Sequence, residues 1–163
     1  LPLVTDAIDA ALEQFLANRE MEGERLCQDL LEKLTAMEQD VAILKERTPQ
    51  ILEEYRARLT QKVRELLGDT SLDENRIASE VIIYADKICI DEEIVRLESH
   101  VAQMRHALEN GGEVGRKLDF IAQEMNREAN TVLSKSTDVT IANVGISLKT
   151  LIEKVREQVQ NIE

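Results

Sequence analysis

Side chains capable of ligand chemistry are concentrated in one segment, "GRKLDFIAQEMNREANTVLSKS", which runs from Gly115 to Ser136. At about 100° per residue on a helix, its Arg, Asn, Gln and Ser side chains fall within one sector of about 60°. The members of this sector are Arg116, Gln123, Arg127, Asn130 and Ser134. Guanidinium groups match phosphate geometry, and amides both donate hydrogen bonds to bases or riboses and accept them. The sector therefore predicts contacts with an anionic ligand.

Acidic side chains border this sector. Asp119 lies with Asn126 on one flank, and Glu124 lies with Glu128 on the other. Because hard divalent cations prefer oxygen ligands, Asp119, Glu124 and Glu128 are predicted to hold manganese or magnesium rather than zinc. In the alternative interpretation, the sector packs against another subunit or domain and its amides make ordinary hydrogen bonds.

A second cluster lies in "DEEIVRLESH", where Glu93, Arg96 and His100 share a helix face at spacings of three and four. These groups suit phosphodiester chemistry, as a metal ligand or base, a charge stabiliser and a proton carrier. The same spacing is typical of a surface ion pair beside a structural histidine, which is the alternative. Together the two clusters give the predicted catalytic residues Glu93, His100, Asp119 and Glu124.

Helical spacing surrounds both clusters. Apolar residues of 4–47 recur at three and four, and a helix of this length would be about 66 Å long, so it is predicted to project from the body. A break is expected near Gly23. Thr48 as N-cap and Pro49 at the first helical position predict a second helix. The two helices are expected to fold back as an antiparallel hairpin over residues 1–68.

Four further helices are predicted from caps and glycines. Their limits are Ser71 or Asp73 to Ile88, Asp91 to Glu109 before Gly111 and Gly112, the Gly115 segment, and Ser136, Thr137 or Asp138 to the C-terminus. The predicted fold is all-α, an antiparallel helical bundle of about six helices with a long projecting helical hairpin. Residues 69–163 are expected to form a C-terminal helical core.

Composition favours helix packing and a cytosolic protein. With two Phe, two Tyr and no Trp, the core must consist of Leu, Ile, Val, Ala and Met. Cys27 and Cys89 lie far apart in apolar contexts and are interpreted as small buried residues rather than a disulfide. No apolar run approaches the ~20 residues of a membrane span, and the acidic surface disfavours anionic membranes.

The net negative charge is not spread evenly along the chain. A formal charge of −12 argues against nucleic acid, because phosphate binding needs Lys and Arg. The acidic excess, however, lies in residues 1–48 and 69–113, whereas residues 114–163 carry seven basic and seven acidic side chains. An anionic ligand is therefore expected near the Gly115–Ser136 segment.

Three segments together carry a family resemblance: "GRKLDFIAQEMNREANTVLSKS", "EEIVRLESHVAQMRHAL" and "LIEKVREQVQNIE". They resemble the C-terminal half of the YicC/YloC-like proteins, bacterial cytosolic proteins once described as stress-induced and understood as endoribonucleases. The resemblance spans essentially the whole chain and is most specific in residues 96–136. It implies metal-assisted cleavage of single-stranded RNA by a ring-shaped homo-oligomer, a hexamer, with RNA entering between subunits.

The family also has an N-terminal mixed α/β domain that does not precede Leu1, so the chain is expected to be a fragment. RNA binding is assigned to polar residues on both helices that match the family pattern: Arg96, Arg116, Lys117, Gln123, Asn126, Arg127, Asn130, Ser134 and Lys135. The first hypothesis is an endoribonuclease domain. The second is an oligomerisation and RNA-positioning scaffold with catalysis in the absent half, and the third is an adaptor that delivers RNA to another nuclease.

Two reaction routes are compatible with these residues. Water activated by a divalent metal leaves a 3′-hydroxyl and a 5′-phosphate. Alternatively, His100 removes the proton of a ribose 2′-hydroxyl, and attack by that oxygen leaves a 2′,3′-cyclic phosphate. Carboxylates outnumber histidines on these faces, which favours the metal route.

Overall fold

The computed structural model describes residues 2–68, 73–112 and 114–160. Within these ranges, every helix or strand assigned is an α-helix. Five helices follow in order: α1 (Pro2–Leu67), α2 (Glu74–Ile88), α3 (Asp91–Asn110), α4 (Gly115–Lys135) and α5 (Val139–Val159). The predicted all-α class is confirmed, with five helices in the described ranges rather than about six.

The first helix is continuous, and the predicted hairpin is wrong. α1 runs for 66 residues with Pro49 inside it. A proline in a helix interior costs about 3 kcal/mol, but the buried stripe of α1 continues across this position from Leu44 to Ile51. Arg47 also spans the proline, since its guanidinium donates to both carboxylate oxygens of Glu54, at 2.6 and 2.9 Å. Packing and pairing on both sides of the proline therefore outweigh the local helix-start signal.

Four of the described helices supply most of the core, and α2 adds Ile88. α4 packs against α3 and α5, α1 packs against the same two helices, and α2 lies mainly on α1. The core consists of Leu, Ile, Val, Met and Ala side chains, as the composition predicts, and includes α1 residues between Leu30 and Ile51. It is therefore shared between residues 1–68 and 69–163, and the predicted division into those two units stays a prediction.

Aspartate caps fix where α2 and α5 begin. Asp73 accepts hydrogen bonds from two backbone N–H groups of the first turn of α2, and Asp138 does the same for α5. These are two of the predicted caps, whereas Ser71 lies outside the described residues. Asp91 is the first residue of α3 rather than its cap, because Ile90 occupies the cap position without a side-chain hydrogen bond.

The N-terminal part of α1 extends beyond the core. Residues 4–25 are all exposed, and α1 joins the core from Leu26 and Leu30 onward. We call residues 4–25 the α1 arm. Its large apolar side chains are more than half exposed: Val4, Ile8, Leu12, Phe15, Leu16 and Met21. The expected projection is confirmed, as a single helix without the break predicted near Gly23, and it presents an apolar stripe to solvent.

Both cysteines are free, as predicted, but they are not both buried. Cys27 is half-buried, with its Sγ 3.9 Å from the Leu108 carbonyl oxygen. Cys89, in the connection between α2 and α3, is exposed. The prediction of a buried residue is therefore wrong for Cys89.

Candidate functional site

The polar sector of α4 lies on the surface of the bundle. On the opposite side, α4 buries six residues: Leu118, Ile121, Ala122, Met125, Ala129 and Val132. We call the exposed side the α4 outer face, and its members are Arg116, Gln123, Arg127, Asn130 and Ser134. Lys117 is also exposed, and Asn126 is half-buried. The predicted sector is therefore one continuous surface, while its binding role stays a prediction.

Cations on the α4 outer face are weakly engaged. The side chain of Arg127 is 75% exposed and contacts Glu124 of the same helix at 2.8 Å. Exposed pairs of this spacing contribute about 0.3–0.5 kcal/mol, so an incoming phosphate can replace the carboxylate at small cost. Within the described ranges, neither Arg116 nor Lys117 forms an ion pair with a carboxylate. The face therefore offers positive charge to a ligand.

The acidic flanks of α4 turn towards different neighbouring helices. On one side, Nε of Arg156 in α5 donates to Oδ1 of Asp119 at 3.3 Å. On the other side, Nε of Arg96 in α3 contacts Oε1 of Glu128 at 2.9 Å. Asp119 and Glu128 are also separated by about 13 Å along the helix axis, at about 1.5 Å per residue. The two flanks therefore do not converge.

This arrangement does not assemble the predicted metal site within the chain. Among the described residues, no group of three or more His, Cys, Asp or Glu side chains could hold a metal ion. Asp119 and Glu128 each contact an arginine, and Glu124 contacts Arg127. The three predicted ligands therefore do not fit a metal as a set, and a need for manganese or magnesium stays a prediction.

An ion-pair network joins α3 to the C-terminal half of α4. Arg96 contacts three carboxylates: Glu92 at 3.1 Å, Glu93 at 3.6 Å and Glu128 at 2.9 Å. Nζ of Lys135 donates to Oε1 of Glu93 and to a backbone carbonyl in the α2–α3 connection, both at 2.9 Å. We call these five side chains the α3–α4 network. Arg96 and Lys135, predicted to bind RNA, are therefore already engaged with carboxylates.

Glu93 is the buried centre of this network, with 4% of its surface exposed. Burial raises the pKa of its carboxyl group, but the hydrogen bond from Lys135 and the charges of Lys135 and Arg96 outweigh burial and leave that pKa below its ordinary value. Its Oε2 has no hydrogen-bond partner in the described part of the chain. A catalytic carboxylate needs access to substrate, so this geometry supports a role in holding Lys135 and Arg96.

His100 lies one turn beyond Arg96 on α3. The residue is half-buried, and its Nδ1 is buried without a hydrogen-bond partner among residues 2–68, 73–112 and 114–160. Because α3 and α4 are antiparallel with Arg96 beside Glu128, one turn forward on α3 matches one turn back on α4. The register therefore puts His100 beside the turn of Glu124 and leaves Asp119 farther away. Of the predicted catalytic residues, only these two are thus neighbours by register.

Two residues at this surface were missed by the sequence analysis. Phe120 is 61% exposed, and at about 100° per residue it lies about 40° from Arg116 and about 20° from Arg127. It is therefore part of the α4 outer face, and its spacing could have shown this. Arg156 was missed because no sequence spacing relates a residue of α5 to Asp119.

A separate cleft of about 760 Å³ lies where α1 meets the C-terminal end of α3. Its lining includes Arg19, Leu26, Leu108 and Gln158, and none of the predicted site residues. It is therefore distinct from the α4 outer face and the α3–α4 network. No helix in the described ranges combines the length and the apolar character that crossing a membrane requires.

Comparison with known proteins links this chain to one family. The family described as Endoribonuclease YicC-like, C-terminal, matches residues 44–163. A Clostridioides difficile (strain 630) protein named "Probable endoribonuclease YicC" is 41% identical over 162 residues, which cover 99% of this chain and 55% of that protein. A Haemophilus influenzae protein of the same name is 40% identical over 157 residues, which cover 96% and 54%. The chain thus spans about half the length of these curated relatives.

Replacing Glu93 by Gln tests the role of the α3–α4 network. We expect Glu93→Gln to lower the free energy of unfolding at pH 7 by about 1–3 kcal/mol, because Lys135 loses a buried ionic partner. The pKa of Glu93 is lowered in the folded protein. The stabilisation is therefore present above the unfolded-state pKa of about 4.3 and is lost as the pH falls through the folded-state pKa.

Denaturant unfolding of the full-length protein between pH 3 and pH 8 measures this effect. Glu92→Gln is the matched control, since the Glu92 side chain is 81% exposed and contacts the same arginine. A stability loss of equal size in the two variants, or one that does not diminish in acid, would contradict the network role.

Proposed function

This chain belongs to the YicC-like endoribonuclease family, and we propose that it is the helical part of an endoribonuclease that acts on single-stranded RNA. One observation carries the proposal. The α4 outer face exposes Arg116 and Arg127 together with Gln123 and Asn130, although the chain as a whole has a net charge of −12. Arginines can bind phosphates and the amides can contact bases or riboses.

Neutralised carboxylates support an RNA contact at this face. Asp119 is paired with Arg156, and Glu128 with Arg96. An opposite charge within 4 Å offsets much of a carboxylate's field at a distance, and salt screens what remains beyond about 8 Å. A phosphate beside Arg127 therefore meets less repulsion than the net charge alone suggests.

His100 is the side chain that best fits a proton-transfer role. In this route it takes the proton of a ribose 2′-hydroxyl. The ribose oxygen then forms a bond to the adjacent phosphorus, and the bond from phosphorus to the 5′-oxygen breaks. The 5′-oxygen takes a proton from water and leaves as a hydroxyl, so the products are a 2′,3′-cyclic phosphate and a 5′-hydroxyl end. Arg96, one turn away on α3, would stabilise the developing negative charge. Metal-assisted cleavage is also part of the proposal, although the predicted ligands Asp119, Glu124 and Glu128 form no group that could hold a metal ion among the described residues.

The second candidate is a scaffold that oligomerises and positions RNA while catalysis belongs to the rest of the protein. The α3–α4 network favours it, because Arg96 is paired with Glu93 and Glu128 and these charged groups are therefore less available for chemistry. An adaptor that delivers RNA to another nuclease is the weakest candidate. Cleavage of RNA by purified full-length protein without a second nuclease would exclude it.

Assembly and location complete the proposal. The α1 arm exposes an apolar stripe of a kind that monomeric proteins rarely leave in water. We therefore propose that the protein forms a homo-oligomer and acts on RNA in the cytosol. The family resemblance implies that this oligomer is a hexamer. Association through the arm would bury Ile8, Leu12 and Phe15.

The assembly proposal predicts a molar mass above that of the monomer at micromolar concentration. Light scattering of the full-length protein measures it. Replacing Leu12 and Phe15 together by Asp should lower the mass, because two charges would then lie in an apolar contact. Ile146→Asp is the control, as Ile146 is 56% exposed on α5. A strictly monomeric mass for the parent protein would refute the assembly.

The RNA proposal predicts that Arg116→Ala and Arg127→Ala each weaken binding of single-stranded RNA. Loss of one phosphate contact should also reduce the slope of log affinity against log salt by ~0.7 for each variant. Titrations of full-length protein with labelled RNA at several salt concentrations measure both quantities. Arg58→Ala, an exposed arginine of α1, should leave the slope unchanged. Slopes equal to the parent's in the α4 variants would assign these arginines to structure.

The chemical proposal predicts that His100→Ala reduces RNA cleavage by full-length protein about 100-fold or more while RNA binding is kept. Activity retained when His100, Asp119 and Glu124 are all changed to Ala would instead favour the scaffold. Product ends separate the routes. 2′,3′-Cyclic phosphates that form in the presence of chelator, and that are lost in His100→Ala, support the route with His100 as the base, whereas 5′-phosphate ends that require metal support the metal route.

A further inference from the structure

An aromatic ring stands exposed on the α4 outer face. The chain has two phenylalanines, one on the α1 arm and the other, Phe120, on α4 with 61% of its surface exposed. Burying a phenylalanine side chain stabilises a folded protein, and this ring forgoes part of that stabilisation. The position is occupied by an apolar group although every other member of the face is polar. A ligand that covers the ring would recover the stabilisation that burial provides.

The surroundings of Phe120 are those of a nucleic-acid contact rather than an apolar docking patch. One turn before it lie Arg116 and Lys117, and one turn after it lies Gln123, all exposed. On the wheel, Arg127 is about 20° from Phe120. A protein-docking helix would continue its apolar stripe at neighbouring turns, whereas here the neighbouring turns carry cations and an amide.

Most of the Phe120 side chain is accessible to a stacking partner, since 61% of its surface is exposed. Within the described residues, the cation–π contact is that of Arg19 over Phe15, at 5.8 Å from the ring centroid. Among those residues, no arginine or lysine lies over the ring of Phe120. Charge beside an exposed ring suits a ligand that carries phosphates next to a flat base.

We propose that Phe120 is a stacking platform for one base of a single-stranded RNA, with Arg116 and Arg127 holding phosphates on either side of it along α4. Arg116 lies about 6 Å before Phe120 along the helix axis and Arg127 about 10 Å after it, at about 1.5 Å per residue. This inference rests on the proposed RNA-binding function. It adds a physical reason why the protein would prefer single-stranded RNA to duplex RNA. Bases of a duplex are already stacked within it, so the ring selects unpaired bases.

A replacement series at position 120 of the full-length protein tests the stacking. Phe120→Tyr and Phe120→Trp should bind single-stranded RNA within about 3-fold of the parent, since base–aromatic stacking is kept. Phe120→Leu keeps an apolar side chain without a ring, and we expect it to bind about 5-fold or more weakly, as one stacked base is worth at least that factor. Affinity for duplex RNA should not change in any variant.

Fluorescence of the Phe120→Trp variant provides a second readout that does not depend on activity. These 163 residues contain no tryptophan, so the difference spectrum against the parent protein reports position 120 alone. We expect single-stranded RNA to quench this emission through base stacking. Ile82→Trp is the control, because Ile82 is 62% exposed on α2, outside the α4 outer face, and its emission should be unaffected.

The outcomes separate this inference from the function on which it rests. If the arginine variants weaken binding while Phe120→Leu binds like the parent and RNA leaves the emission of the Phe120→Trp variant unchanged, the stacking role is wrong and the RNA-binding function stands. If the parent protein binds no RNA, both fail. A drop in molar mass for Phe120→Leu in the absence of RNA would assign the ring to a contact between protein chains and overturn the inference.

Discussion

The buried apolar stripe of α4 decides which side of this helix faces solvent, and two ion pairs, one on each flank, hold the helix in that orientation. Arg96 of α3 holds Glu128 at 2.9 Å, and Arg156 of α5 holds Asp119 at 3.3 Å. Apolar packing is non-directional, so the buried stripe of α4 draws the helix into the core without strictly fixing its rotation. Hydrogen-bonded ion pairs have defined direction and range. The core therefore sets the orientation of the α4 outer face, and these pairs restrict the rotation of α4 further.

The same pairs divide the arginines of this region into two groups. Arg96 and Arg156 contact carboxylates of another helix, whereas Arg116 and Arg127 project from the outer face. The first group lowers the local negative charge and the second group is available to a ligand. Each exposed arginine contributes little alone in salt, since its attraction is screened. Tight binding of an anionic strand by this acidic chain would therefore need several phosphate contacts together with an uncharged contribution such as stacking.

The sequence predicted what depends on neighbours along the chain. The periodicity of the Gly115 segment identified the outer face, and Asp73 and Asp138 were identified as caps, because each involves residues within one or two turns. Prediction from the sequence failed where contacts between residues far apart in the chain determine the structure. Pro49 has the local features of a helix start, but the core residues on both sides of it keep α1 continuous. Likewise, spacing placed Asp119 and Glu128 beside one face and could not show that each contacts an arginine of a different helix.

Continuity of α1 links the two surfaces on which the proposed function depends. The exposed arm and the core residues from Leu30 to Ile51 belong to one helix, so the arm has no turn at which it could reorient relative to the bundle. A long helix bends gently rather than pivoting when nothing interrupts it. If arms of several copies pack together, the orientation of each α4 outer face is therefore fixed as well. An RNA strand held on one such face then meets the next at a high effective concentration, so weak contacts on each copy can add up to firm binding of one strand.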